Sequence, residues 1–205
     1  MLLRAVISAG IVVLGLLPAC DGNGAGRNTG GSTLSISMSF TPPPAGSMNV
    51  VWLSEASRNG GLLLMDVFAQ NISIPFDGYE IELRFDPLVA EALDLVAGTL
   101  PEQCSGLTTL RVDNVASGDA NASGTILFSA RLTGPQPPGC TVVERQPLAR
   151  ITFRASGTGS FPLSFVPFNG DPIFPGGSRL LRTDPPDPAI PVMFDDSQAV
   201  IDVAG

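Results

Sequence analysis

The sequence predicts an all-β fold, a two-sheet β-sandwich or jelly roll of about nine short strands. Short runs of the chain alternate apolar and polar residues, which is the period of a strand with one buried face. The chain contains 23 glycines and 19 prolines, and these residues separate the runs as turns. No segment carries the pattern of a long helix. With 205 residues, 44% of them hydrophobic, the chain can form one domain of ordinary size plus a targeting segment.

The clearest strand runs from Gly78 to Phe85. Its residues alternate between a charged and an apolar set, in the order Glu80, Ile81, Glu82, Leu83, Arg84 and Phe85. Asp86-Pro87 ends the strand, because proline cannot donate to the ladder and restricts the residue before it. The apolar face needs a second layer to cover it.

Similar patterns predict eight further strands, at 34–40, 49–53, 62–69, 107–112, 125–132, 148–155, 160–168 and 200–203. The segment 88–96 is predicted to be a short helical turn that runs into a strand, and 113–124 is predicted to be a loop. The longest irregular stretch, 169–191, is interpreted as an insertion. Its apolar residues predict that it folds back on the sandwich: Ile173, Phe174, Leu180 and Leu181.

The first 19 residues predict a signal peptide, with Arg4 before an apolar segment that is short for a membrane span. The sequence Leu17-Pro18-Ala19-Cys20 resembles the bacterial lipobox, in which the cysteine becomes lipidated. An ordinary secretory signal, with Cys20 incidental, is the alternative. Residues 20–32 then form a lipidated cysteine and a flexible tether rich in Gly and Asn, and 33–205 form the domain. The predicted location is the bacterial cell envelope, on its periplasmic or cell-surface side.

The segment from Asn71 to Val89, followed by Gly98, resembles the central signature of cohesin domains. It includes Phe76-Asp77-Gly78-Tyr79-Glu80 and the ending Phe85-Asp86-Pro87. The run from Leu148 to Ala155 resembles the strand that these domains carry before a final hairpin. The resemblance implies a nine-stranded jelly-roll sandwich related to carbohydrate-binding modules. It also implies a dockerin-like protein partner, although no calcium-binding dockerin repeat is visible in the chain.

The charged face of the clearest strand, formed by Glu80, Glu82 and Arg84, is the candidate partner-binding surface. In cohesins the corresponding sheet contacts the dockerin, and a polar or acidic residue occurs at the position matching Glu80. A solvated face with weak ion pairs is the alternative. Reversing the charge of Glu80 is predicted to abolish partner binding and leave folding intact. Two carboxylates on one strand also mimic a glycosidase pair, but no aromatic residues surround them.

Histidine is absent from the chain, which excludes Ser-His-Asp and Cys-His sites and a His-ligated zinc. No catalytic residue and no metal ligand is therefore predicted. Cys104 and Cys140 remain once Cys20 is lipidated, and in an oxidising compartment they are expected to form a disulfide. A redox or metal-binding pair is the alternative, and two cysteines without histidine make a poor metal site.

A carbohydrate-binding module is the second functional hypothesis. Trp52 and Tyr79 are the only Trp and Tyr, so rings for stacking on sugars are scarce, and Trp52 is expected in the core or at its rim. No cofactor is predicted, although two acidic clusters leave calcium open: Asp113, Asn114, Asp119 and Asn121, and Asp195 with Asp196. Nucleic acid is excluded as a partner, because all 11 basic residues are Arg without a cluster and the net charge is −8.

Overall fold

The structure is a computed structural model that describes residues 33–98, 110–131, 139–170, 176–182, 190–196 and 198–205. The predicted signal peptide (1–19) and tether (20–32) lie outside the described residues. The described residues belong to one unit, Ser32–Gly205. Among them, no helix is long and apolar enough to cross a membrane.

Thirteen strands and one short helix make up the described part of the domain. In chain order they are β1 Ser35–Ser39, β2 Val50–Asn59, β3 Leu62–Phe76, β4 Gly78–Arg84, β5 Ala90–Ala97, β6 Leu110–Asp113, α1 Asp119–Ser123, β7 Thr125–Arg131, β8 Cys140–Ala155, β9 Gly159–Pro162, β10 Ser164–Phe165, β11 Arg179–Leu181, β12 Met193–Asp195 and β13 Val200–Ala204.

The strands form three sheets. The front sheet has the order β10-β4-β7-β6, with β11 also paired to β4. The back sheet has the order β12-β2-β3-β8-β5, and a small sheet has the order β1-β13-β9. All pairs are antiparallel except β12 with β2, which is parallel. The predicted all-β sandwich is therefore confirmed.

The core lies between the front and back sheets. From β4 it takes Ile81 and Leu83, both fully buried, while Phe85 packs edge-to-face on Phe153 of β8 with ring centroids 5.6 Å apart. The apolar face predicted from the alternation of this strand is confirmed. The second layer is the back sheet, which buries apolar residues from the middle of β3 and β8: Leu63, Met65, Val67, Ala149, Ile151 and Phe153.

The described part of the sandwich contains four more strands than the nine predicted: β5, one from the division of a predicted strand, β11 and β12. The segment 88–96 begins with a turn, in which the Val89 and Ala90 N–H groups both bond the Asp86 carbonyl, and continues as β5, which pairs with β8. The predicted strand 160–168 divides into β9 in the small sheet and β10 in the front sheet. The division follows Pro162, which cannot donate a ladder hydrogen bond, and Leu163 then bonds Ala199.

The insertion 169–191 also contributes a strand that the sequence did not indicate. Its described part contains β11, which pairs Arg179 with Glu80 and Leu181 with Gly78. Leu180 and Leu181 are buried, so the prediction that these two anchors fold back on the sandwich is confirmed. Ile173 and Phe174 lie outside the described residues. A strand as short as β11 leaves no periodic pattern of its own, which explains why it was missed.

Candidate functional site

The outer face of the front sheet holds the three predicted partner-binding residues. Glu80, Glu82 and Arg84 lie on β4 on the side opposite the buried Ile81 and Leu83. Their exposure differs: the two glutamates are half-buried and Arg84 is exposed. The sequence therefore placed all three on the correct face, but the glutamates have neighbours that strand alternation could not reveal.

Glu80 is held between two arginines. Arg131 of β7 approaches its Oε1 at 3.3 Å, and Arg179 of β11 donates from Nε to its Oε2 at 2.7 Å. A second guanidinium nitrogen of Arg179 bonds the same oxygen. The Arg179 side chain is 8% exposed and also lies over the Phe168 ring at 4.7 Å. Glu80 is therefore the counterion of a buried cation.

This arrangement corrects one expectation. Reversing the charge of Glu80 would place a third guanidinium beside Arg131 and Arg179 and leave the buried Arg179 without an anion. Removing one partner of a buried pair is strongly destabilising, because the other charge stays desolvated. Glu80→Arg is therefore expected to disturb folding, and it is not a clean test of binding.

Glu82 anchors the turn that precedes β11. Its Oε2 accepts from the Gly177 N–H at 3.0 Å, and its backbone N–H and C=O both bond the Ser178 hydroxyl, at 3.1 and 3.0 Å. Gly177 has φ of 92° and its Cα lies against the Pro167 carbonyl, where a Cβ would come within 2.2 Å. Only glycine fits this position, so the turn closes tightly on β4.

A depression of about 310 Å³ lies over these residues. Its floor comes from β4 and β7, and its wall from the Gly176-Gly177 turn; the lining residues are Glu80, Glu82, Leu127, Ser129, Gly176, Gly177 and Arg179. Leu127, on the uncovered face of β7, is 38% exposed. The result is one exposed apolar side chain inside a charged rim, and interfaces likewise surround buried apolar contacts with polar groups.

Trp52 does not form a sugar-stacking surface. It is 2% exposed on the outer face of the back sheet. The Phe68 ring stacks on it with centroids 5.4 Å apart, and the Arg145 guanidinium covers it at 5.5 Å. Trp52 is therefore buried, as expected, but it lies outside the core between the two sheets.

The first acidic cluster supports the backbone. Asn121 of α1 bonds both the N–H and the C=O of Ala92, each at 2.8 Å, and so closes the free edge of β5. Asn114 makes a similar pair of hydrogen bonds to β7: its side chain accepts from the Leu127 N–H and donates to the Thr125 C=O. These amides replace a neighbouring strand where the sheet ends.

The acidic side chains of these clusters also have internal roles. Asp113 accepts from the Val115 N–H at 2.8 Å, and Asp119 accepts from the Ser117 hydroxyl at 2.8 Å. In the second cluster, Asp196 accepts from the Phe165 N–H at 2.8 Å. Within the described ranges, no group of three or more acidic, Cys or His side chains is arranged to hold a metal.

Of the two cysteines in the predicted disulfide, the structure describes one. Cys140 is fully buried at the start of β8, whereas Cys104 lies outside the described residues. The pairing of Cys104 with Cys140 stays a prediction, and so does lipidation of Cys20.

Solved structures similar to this chain are cohesin modules. The second type II cohesin module of the adaptor ScaA scaffoldin of Acetivibrio cellulolyticus is 16% identical, with a TM-score of 0.52 over 72% of this chain and 86% of that chain. Another structure of that module gives 15% identity and a TM-score of 0.51 over 71% and 92%. No family model matches the chain, and no curated protein does so. At these identities the likeness establishes the fold, so the domain is a cohesin-like β-sandwich.

Proposed function

We propose that the protein is a non-catalytic lipoprotein of the bacterial cell envelope whose cohesin-like domain binds a protein partner. The binding surface is the outer face of the front sheet, around Glu82, Arg84 and Leu127. One observation carries the proposal: the depression over β4 and β7 combines an exposed apolar side chain with a charged rim. The resemblance of the β4 segment to cohesins supports the same face, and it suggests a dockerin-like partner.

The rigidity of the face also supports this role. The buried Arg179–Glu80 pair and the Glu82–Gly177 hydrogen bond fix the turn that forms the wall of the depression. A preformed surface loses little conformational freedom when a partner docks, which favours affinity. Arg84 forms no ion pair among the described residues, so it is free to steer a partner of opposite charge.

Photocrosslinking tests which face binds. The full chain, purified in detergent, carries benzoylphenylalanine at Leu127 or at Leu62, which are 38% and 39% exposed. Leu62 begins β3 in the back sheet and serves as the matched control. Envelope extract from the source bacterium is added with and without calcium. We expect a discrete crosslinked protein from the Leu127 probe alone. Equal products from both probes, or none, would contradict the proposal.

Two charge variants complete this test. Arg84→Glu changes an exposed residue of the candidate surface, and Arg58→Glu changes an arginine at the far end of β2, whose side chain is 57% exposed. The first should lower the yield of the Leu127 crosslink and the second should not. Because Arg84 makes no ion pair within the described part of the domain, its loss should leave the unfolding midpoint unchanged.

The location is tested separately. The predicted lipidation of Cys20 anchors the chain through acyl groups, and more than one chain is needed for stable anchoring. Cys20→Ser should move the protein from the membrane fraction to the soluble fraction and remove incorporation of labelled palmitate. A variant that stays in the membrane unlabelled would favour the alternative of an ordinary signal segment.

A further inference from the structure

A second cavity lies on the back sheet and shares no lining residue with the depression over β4. Its volume is about 470 Å³, within the range of small-molecule sites. It is bounded by the loop that follows β1 and by β2, β3 and β8, with the lining residues Pro42, Pro43, Ala45, Trp52, Gln70, Asn71, Glu144 and Arg145. Nothing in the proposed function uses this cavity.

An irregularity in β8 places two opposite charges at the cavity. Neighbouring residues of a regular strand point to opposite faces, yet Glu144 and Arg145 both line it. Glu144 has φ of 64°, and the register between β3 and β8 shifts between Gln70 and Ile72. Bulges of this kind redirect side chains and are common beside functional sites. A glutamate in the left-handed region is unfavourable by itself, so the surrounding structure must impose it.

A hydrogen-bond network imposes this backbone. Asn71 lies opposite Glu144 and is also left-handed, with φ of 49°. Its Oδ1 accepts from the Glu144 N–H at 3.0 Å, and its Nδ2 donates to the Ser47 carbonyl at 2.9 Å. Gln70 donates to the Pro44 carbonyl at 2.9 Å. One network therefore fixes both the bulge and the loop that forms the apolar wall.

The charged groups at this cavity lack partners. The Arg145 guanidinium lies over the Phe68 ring at 4.7 Å, but no carboxylate of the described ranges pairs with it. By contrast, Arg150 on the same strand forms a two-point ion pair with Asp66, at 2.7 and 2.8 Å. The Glu144 carboxylate is likewise without an ion pair or hydrogen bond among the residues described. An arginine without a carboxylate partner can bind a planar carboxylate through two N–H groups.

The buried wall of the cavity contains an unsatisfied donor. The indole Nε1 of Trp52 is inaccessible to water and has no hydrogen-bond partner. Among the side chains of the described residues it is the single buried nitrogen or oxygen in this state. An unpaired buried donor costs stability, so it calls for an explanation such as a ligand acceptor that completes the site.

From these groups we infer that the back-sheet cavity binds a short zwitterionic peptide. Arg145 takes the terminal carboxylate, and Glu144 takes the terminal ammonium. The Trp52 N–H donates to a peptide carbonyl once the ligand displaces the guanidinium from the ring. Pro42 and Pro43 provide an apolar wall for a small side chain. A ligand with only one of the two charges would leave either Glu144 or Arg145 uncompensated.

Intrinsic fluorescence reports on this cavity alone, because Trp52 is the only tryptophan of the chain. The full chain in detergent is titrated with Ala-Ala, Ala-Leu and Gly-Phe, and calorimetry measures the same affinities. N-acetyl-Ala-Leu-amide, which has neither terminal charge, and galacturonate, which has only the negative one, are the comparison probes. We expect saturable changes with at least one dipeptide and weaker binding of both comparison probes. The inference is overturned if no dipeptide saturates, or if a comparison probe binds as tightly.

Two variants separate ligand binding from folding. Glu144→Gly removes the carboxylate but adopts a positive φ readily, so the affinity should fall by about tenfold or more while the unfolding midpoint does not fall. Arg145→Met keeps apolar contact with the rings and should have a similar effect on affinity. Arg154→Met, on the same strand and outside the cavity, is the matched control. Wild-type affinity in Glu144→Gly would refute the assignment.

Discussion

We predict that Tyr79 makes the stability of this domain depend on alkaline pH. Its side chain is 1% exposed, and its hydroxyl donates to the Leu148 carbonyl across the core at 3.1 Å. Burial raises the pKa of the phenol above its usual range, because the phenolate would be desolvated. It is the only tyrosine, and the chain contains no Lys and no His. Few other groups therefore titrate near pH 10.

The sign and the size of the effect follow from proton linkage. Above about pH 10 the unfolded chain loses the phenol proton while the native state keeps it, so unfolding releases a proton. The stabilising contribution of the neutral phenol is complete below that pH. It then falls by about 1.4 kcal/mol for each pH unit, until the native phenol ionises as well.

The variant Tyr79→Phe removes the titrating group and isolates the effect. At neutral pH it should be less stable by about 0.5–1.5 kcal/mol, the net value of one hydrogen bond. The low end is expected, because the Leu148 carbonyl still accepts from the Gly98 N–H at 2.9 Å. Between about pH 9 and about pH 11 the wild type should lose roughly 1.4 kcal/mol more than the variant.

Urea unfolding followed by Trp52 emission measures both proteins over this pH range. Phenolate absorbance of the native wild type should stay low at pH values where the unfolded chain is ionised. Cysteine ionisation affects both proteins equally and cancels in the comparison. Equal losses of stability in wild type and Tyr79→Phe would refute the role assigned to the buried phenol.

Two further predictions concern the contacts that shape the front and back sheets. Glu80→Gln should lower the free energy of unfolding by about 2–4 kcal/mol, since it leaves the buried Arg179 without an anion. Arg179→Met should lower it by less, because Glu80 still pairs with Arg131. If urea unfolding shows the larger loss for Arg179→Met, this account is contradicted. Gly98→Ala should destabilise the domain by about 3 kcal/mol, since its Cβ would come within 2.0 Å of the Pro147 carbonyl. Gly46→Ala is the control, because its Cβ would meet nothing within 4 Å. Equal thermal midpoints for the two variants would contradict the close approach of Gly98 to Pro147.

The sequence was most informative where one strand has one dry face. Alternation assigned Ile81 and Leu83 to the core, and it assigned Glu80 and Glu82 to the opposite face, as the structure has them. A period of two fixes these sides whatever the neighbouring strands are. The resemblance of the same segment to cohesins indicated the sandwich that the structure confirms.

The sequence was least informative where a side chain makes the hydrogen bonds that a neighbouring strand would otherwise make. Asn114 and Asn121 belong to a composition that suits both turns and calcium ligands. Their hydrogen bonds to β7 and β5 depend on which strands end nearby, and that is set by packing over long sequence separations. The same limit hid Arg179, an insertion residue that no local pattern connects to Glu80.

By itself, therefore, the sequence determined the fold class, the buried face of β4 and the sheet face on which Glu80, Glu82 and Arg84 lie. These properties follow from local periodicity and from the residues that end each strand. Only the tertiary structure decided that Glu80 neutralises Arg179, and that Trp52, Glu144 and Arg145 meet at one cavity. Those contacts join residues far apart in the chain, where a register shift or a left-handed residue changes which side chains come together.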